Sequence, residues 1–137
     1  MSDTRFLDTN ILVRHLVRDN PDQATRATAL MEAVADYEIR IRLPDTVVFE
    51  TIFTLQRVYS IPKVEIADEL STIIDHPGVM LDHKESLLKA LTFWRGIDGL
   101  SFADCYHLAL AADLGLTEIY SFDRKMDSYP GVARVEP

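Results

Sequence analysis

The chain has 137 residues, long enough to bury a sizeable core as one domain, residues 1–137, without covalent staples. Hydrophobic content of 47% with 26% charged residues is that of a soluble globular protein, and its apolar runs are far too short to span a membrane. A net charge of −8, from 22 acidic and 14 basic residues, speaks against a polyanion partner, though less so where bound cations neutralise acids or local basic patches form.

Cys105, the single cysteine, excludes an internal disulfide and a cysteine-based metal cluster. Met1-Ser2-Asp3-Thr4-Arg5 has no basic region followed by an apolar stretch, so no secretory leader is expected and a reducing cytoplasm is the expected home.

In chain order, residues 5–8 read as a short buried strand that leads into a helix over residues 9–17. Asn20-Pro21-Asp22 is a helix start, with helical periodicity following over residues 22–35. Ile39, Ile41 and Leu43 alternate with Arg40 and Arg42, which predicts a strand over residues 38–43 with one exposed face. Pro44-Asp45-Thr46 breaks it and starts a helix running to about residue 59. Ile61-Pro62 opens another over residues 63–75, which His76-Pro77-Gly78 ends before a short strand at residues 79–81. Residues 84–95 are helical and residues 96–100 form a loop with two glycines. Ser101 then opens an apolar helix that Gly115 stops. A strand over residues 118–122, a short charged stretch and a last strand at residues 132–135 complete the pattern. Strands separated by helices imply an α/β fold with a largely parallel sheet, in which ligands bind beyond the carboxyl ends of the strands.

Four acids stand out because their sequence neighbours are apolar. Asp8 lies between Phe6-Leu7 and Ile11-Leu12-Val13. Glu50 sits between Val47-Val48-Phe49 and Ile52-Phe53, Asp104 opens the apolar run from Phe102 to Ala112, and Asp123 closes Ile119-Tyr120-Ser121-Phe122. A carboxylate buried in such company is costly unless it is paired or binds a cation. Asp8 and Asp123 fall at the ends of predicted strands, and Glu50 and Asp104 lie in the early turns of their helices. All four can therefore meet at one edge. Each also has a local explanation: an Asx turn or cap for Asp8, an ion pair with Arg14 or Arg57 for Glu50, a capping box from Ser101 for Asp104, and a turn into Arg124-Lys125 for Asp123. One acidic site is the more economical account.

Mg²⁺ and Mn²⁺ prefer oxygen ligands, usually a few carboxylates with waters and substrate phosphates. A pair of such ions about 3.5–4 Å apart can stabilise both the attacking and leaving oxygens of a phosphoryl displacement. Thr9, Asn10 and Ser101 are short polar groups suited to orienting the acids. Arg14, Arg18, Arg124 and Lys125 are candidates to hold a polyanion, with Arg40 and Arg42 behind them; a solvated charged face is the alternative. There is no phosphate-cradling glycine motif. His107, three residues after Asp104, can reach the site or serve structure; Cys105 and the Phe93-Trp94 pair read as packing residues.

Taken in order, Phe6-Leu7-Asp8-Thr9-Asn10-Ile11-Leu12, Val47-Val48-Phe49-Glu50-Thr51, Ser101-Phe102-Ala103-Asp104 and Ser121-Phe122-Asp123 resemble the PIN-domain family, and within it the VapC-type toxins of toxin–antitoxin pairs. The resemblance spans nearly the whole chain. It implies an α/β/α sandwich with a central, largely parallel sheet, and a Mg²⁺- or Mn²⁺-dependent endoribonuclease. It also implies a homodimer inhibited by a small antitoxin, alone or in a toxin–antitoxin hetero-oligomer. The metal-binding acids carry over onto Asp8, Glu50, Asp104 and Asp123, with Asn10 in support and Asp127 as an additional candidate. Exposed apolar positions on the helices around Glu50 and Ile66 are candidates for the antitoxin surface. Two other readings stand beside this one: a non-catalytic RNA- or protein-binding module, and a DNA nuclease or phosphatase using a similar acidic site. Asn10, where an Asp-x-Asp phosphatase has its second acid, disfavours the phosphatase.

Overall fold

Helices and short strands alternate along a computed structural model that describes residues 4–137. Residues 1–3, part of the stretch read for the absence of a leader, lie outside the described residues. The chain divides into two compact units, Met1–Asp82 and His83–Pro137.

The first unit contains β1 (Arg5–Phe6), α1 (Thr9–Val17), α2 (Pro21–Ala35), β2 (Ile41–Arg42), α3 (Asp45–Arg57), α4 (Lys63–Asp75) and β3 (Val79–Met80). Its sheet has the order β1-β2-β3 with both pairs parallel; Arg5 is opposite Ile41, and Ile41 opposite Val79. Single hydrogen bonds from Leu7 N–H to the Arg42 carbonyl and from Leu43 N–H to the Met80 carbonyl carry the pairing one residue further. Leu7, Ile41, Leu43 and Val79 are buried from the strands, and Leu12, Val48, Ile52, Leu55, Ile66, Leu70 and Ile74 from the helices.

Local chemistry sets the helix ends. The Asn20 side chain accepts from Gln23 N–H ahead of Pro21, which needs no donor at that position. Between α1 and α2, Arg14 donates to Asp19 and Gln23, and the Tyr59 hydroxyl donates to the same Asp19 carboxylate at 2.8 Å. The Tyr59 hydroxyl, with Arg14 adding, holds the Asp19 carboxyl below the usual carboxylate range.

The second unit contains α5 (Lys84–Gly96), α6 (Phe102–Asp113), β4 (Glu118–Tyr120), a 3-10 helix (Arg124–Ser128) and β5 (Ala133–Val135), with β4 and β5 parallel. The α5–α6 hairpin buries Leu87, Leu91, Trp94, Cys105 and Leu108, and Trp94 meets Phe102 edge-on at 5.7 Å. Cys105 and Trp94 are thus the packing residues the sequence implies. At its open end Ser86 and Lys89 of α5 both bond Asp113 of α6. Gly115, at φ +77, takes the left-handed turn that ends α6.

Every strand pair is parallel, in keeping with the α/β expectation. The ladders are shorter than the sequence pattern: the alternation over residues 38–43 pairs only at Ile41–Arg42. The strand expected to be buried around Phe6 is half open, because Leu7 faces the core while Phe6 is 76% exposed on an outer strand. Tyr120 and Phe122 are exposed in the same way. The charged stretch after Asp123 is a 3-10 helix anchored by buried Met126. Among the described residues no helix is long and apolar enough to cross a membrane.

Candidate metal-binding site

Asp8 follows β1 directly and stands at the N-cap of α1 with extended backbone, yet its carboxylate makes no capping bond. Asp8 is exposed, and its side chain has no hydrogen-bond or ion-pair partner among the described residues. The next residue supplies the link to α3: the Thr9 hydroxyl donates to Glu50 Oε2 at 2.7 Å. Glu50 is also exposed, because the apolar residues around it in sequence, Val47, Val48, Ile52 and Leu55, line the opposite, buried face of α3. The ion pairs that would have given Glu50 a structural role do not form. Arg14 is committed to Asp19 and Gln23, and Arg57 lies over the Phe53 ring, 5.4 Å from its centre.

In the second unit, Ser101 and Asp104 form a full capping box: Ser101 Oγ accepts from Asp104 N–H at 3.1 Å, and Asp104 Oδ2 accepts from Ser101 N–H at 3.4 Å. Asp104 is half-buried, and its Oδ1 makes no bond. Asp123 follows β4 closely and caps the 3-10 helix, with Oδ1 accepting from Lys125 N–H at 3.0 Å and its own N–H donating to Ser121 Oγ. Its Oδ2 remains open. The local explanations for Asp104 and Asp123 are therefore real, and each uses a single carboxylate oxygen.

The four acids share one property. None is paired with a lysine or arginine, and each keeps at least one oxygen without a hydrogen-bond partner among the described residues. By contrast Asp19, Asp82, Asp113 and Asp127 are engaged by Arg14, Arg42, Lys89 and Arg134. Open carboxylate oxygens are the donor chemistry that Mg²⁺ and Mn²⁺ take, and Mg²⁺ commonly uses one or two carboxylates with water and substrate phosphate. Neither unit by itself gathers three or more His, Cys, Asp or Glu side chains into a metal-holding group among the described residues. In the first unit the Thr9 bond ties the residue after Asp8 to Glu50, and the second unit carries Asp104 and Asp123, each at the start of its own helix.

The remaining sequence candidates separate cleanly. Asn10 is exposed and makes no side-chain hydrogen bond. Arg14 is already used between α1 and α2, whereas Arg124 and Lys125 are exposed with side chains bonded to no acid. Asp127 bonds Arg134, which also reaches Glu136 and the Ser121 carbonyl; Glu136 foremost, with Asp127, raises the Arg134 pKa. His107 is exposed.

The chain is 22% identical over 121 residues to a protein named VapC ribonuclease from Aquifex aeolicus (strain VF5), covering 88% of each chain. It also aligns with the crystal structure of Mycobacterium tuberculosis VapC20, described as a Sarcin-Ricin loop cleaving toxin. That alignment is at 19% identity over 97% of this chain and 99% of the other, with a TM-score of 0.42. The sequence model of the PIN domain matches residues 5–132, taking in all four acids, and on that match the chain belongs to the PIN-domain family.

Proposed function

We propose that this chain is a Mg²⁺- or Mn²⁺-dependent endoribonuclease, the toxin of a type II toxin–antitoxin pair, built as a single domain over residues 1–137. The observation that carries the reading is the set of four acids left free of basic partners in a PIN-domain chain. The likeness to a protein named VapC ribonuclease supports RNA as the substrate.

In this reading Asp8, Glu50, Asp104 and Asp123 hold the metal. Thr9 fixes the direction of the Glu50 carboxylate, and Ser101 fixes that of Asp104. Asn10 supports the site as a polar neighbour of Asp8. A bound divalent ion supplies Lewis acidity toward a phosphodiester oxygen and makes water a nucleophile near neutral pH. The chain itself contributes no covalent nucleophile. Arg124 and Lys125 draw RNA toward the acids, and Arg14 can join them only by giving up Asp19 or Gln23. The partners are RNA, a small antitoxin and a second copy of this chain, in the cytoplasm.

The test is cleavage of a mixed structured RNA pool by purified protein with Mg²⁺, Mn²⁺ or EDTA, beside Asp8→Asn. Discrete fragments that need metal and vanish in the variant are the expected result. The capping box at Asp104 favours one rival, a non-catalytic RNA- or protein-binding member in which this acid serves only its helix. RNA binding with no cleavage under any metal would establish that rival. Cleavage of DNA in preference to RNA would move the chain to the DNA nucleases.

A further inference from the structure

Lys125 has an unusual seat. Its backbone N–H donates to the Asp123 carboxylate, while its side chain folds back over Gly99 in the loop before α6. A Cβ added to Gly99 would fall 2.8 Å from Lys125 Cδ and 2.8 Å from Nζ, so stem and ammonium both rest on the bare α-carbon. Gly99 is at φ +87, a conformation that side-chain-bearing residues rarely adopt. Two residues further on, the same loop becomes the capping box of Ser101 and Asp104. Among the described residues the ammonium has no carboxylate or carbonyl partner, although the chain carries 22 acids. A cation lying over Gly99, two residues after Asp123 and without a carboxylate partner among the described residues, is set up for an anion from outside the chain.

We propose that Lys125 binds a phosphate of the RNA backbone beside Asp123, and that Gly99 is the residue that positions it. The proposal rests on the ribonuclease reading above. A lysine is a compact, strongly hydrated point charge, suited to holding a phosphate without reading a base. Arg124, its neighbour, has no such seat.

Binding of a labelled mixed-sequence single-stranded RNA to the full chain tests this, in an Asp8→Asn background that does not cleave and over 50 to 200 mM salt. Lys125→Gln should weaken binding about fivefold at 0.1 M salt and lower the slope of log K against log salt by about 0.7, the share of one phosphate contact on a single strand. Lys125→Arg should restore both. Gly99→Ala should behave like Lys125→Gln, and the double variant should be no weaker than either, since both changes remove the same contact. Thermal melts of each variant separate this from loss of fold, and Lys125→Gln changes an exposed residue. Unchanged affinity and slope in Lys125→Gln, with cleavage by the unmodified protein intact, would overturn the assignment and leave the ribonuclease reading standing. Absence of both RNA binding and cleavage in the unmodified protein would bring down that reading, and this one with it.

Discussion

The Thr9 hydroxyl donates to the Glu50 carboxylate across 2.7 Å, tying the first turn of α1 to the second turn of α3. That bond occupies Oε2 and leaves Oε1 open, so it aims the acid rather than neutralising it. Replacing Thr9 by Val keeps the shape and removes the donor. The expected outcome is a roughly 10–100-fold loss in metal affinity or cleavage, the usual cost of losing a group that orients a metal ligand. Thr9→Ser should recover most of it. Metal titration followed calorimetrically reads the effect directly, and equal affinity in Thr9→Val would show that the bond is incidental.

Catalysis and capping should separate at Asp104. In Asp104→Asn the amide oxygen still accepts from Ser101 N–H, so the helix start survives while the charge is lost. RNA cleavage should fall to background with stability within about 0.5 kcal/mol of the parent, as for other surface changes. Ser101→Ala should instead cost about 1 kcal/mol in urea unfolding. Asp8→Asn, at a carboxylate with no bond among the described residues, should also abolish cleavage with stability held. Large stability losses in both Asn variants would mean that the acids serve the fold.

Thr51, the neighbour of Glu50 on α3, is fully buried and its hydroxyl has no hydrogen-bond partner among the described residues. Burying an unsatisfied hydroxyl costs about 1–3 kcal/mol. Thr51→Val has the same branching without that cost. The expected gain is about 1 kcal/mol, seen as a higher urea midpoint at unchanged slope. A lower midpoint would mean that the hydroxyl is satisfied in solution.

Acid stability should depend on the clasp at the end of α5 and α6. Lys89, with Ser86, holds the Asp113 carboxyl below the usual carboxylate range, and the same contact raises the Lys89 pKa. The folded chain therefore gives up the Asp113 proton more readily than the unfolded chain does. Its contribution is complete above the unfolded carboxylate value, about 3.9, and disappears as pH falls through the lower folded value. The Lys89 contribution is complete below its unfolded value, about 10.4, and is lost as pH rises above it. Melting temperatures from pH 3 to 7 should fall less steeply in Asp113→Asn than in the parent. Parallel acid limbs would rule the clasp out as a source.

Much of the fold is legible in the sequence because its helices are well punctuated. The bounds of α1 and α4 match the pattern of residues 9–17 and 63–75, where Pro62 and His76-Pro77-Gly78 leave little choice. Strand length is less legible. Alternation reports which residues face the core, and Ile41 and Leu43 do, but the extent of a ladder depends on partners elsewhere in the chain. The 3-10 helix after Asp123 has no apolar period to betray it, only Met126. At Glu50 the helix carries the carboxylate out while Val47, Val48 and Ile52 go in, whereas Phe6 near Asp8 and Tyr120 and Phe122 before Asp123 are exposed like the acids they precede. Lys125 is visible in sequence as a cation, but its seat on Gly99 is not, since it joins a loop to a helix that follows it by a whole α/β passage.

The parallel ladders also set the order of folding events. Those of the first unit are only two residues long and join segments with two whole helices between them. By contrast the α1–α2 and α5–α6 hairpins close over short loops. Local contacts form quickly, and distant pairings wait on the entropy of closing long loops. Thr9 comes within reach of Glu50 as the adjacent Leu7–Arg42 bond joins β1 to β2, late in that sequence. A half-folded copy thus has its helices but not its aimed acids. A chain that cuts RNA would acquire that ability only near the end of its own maturation.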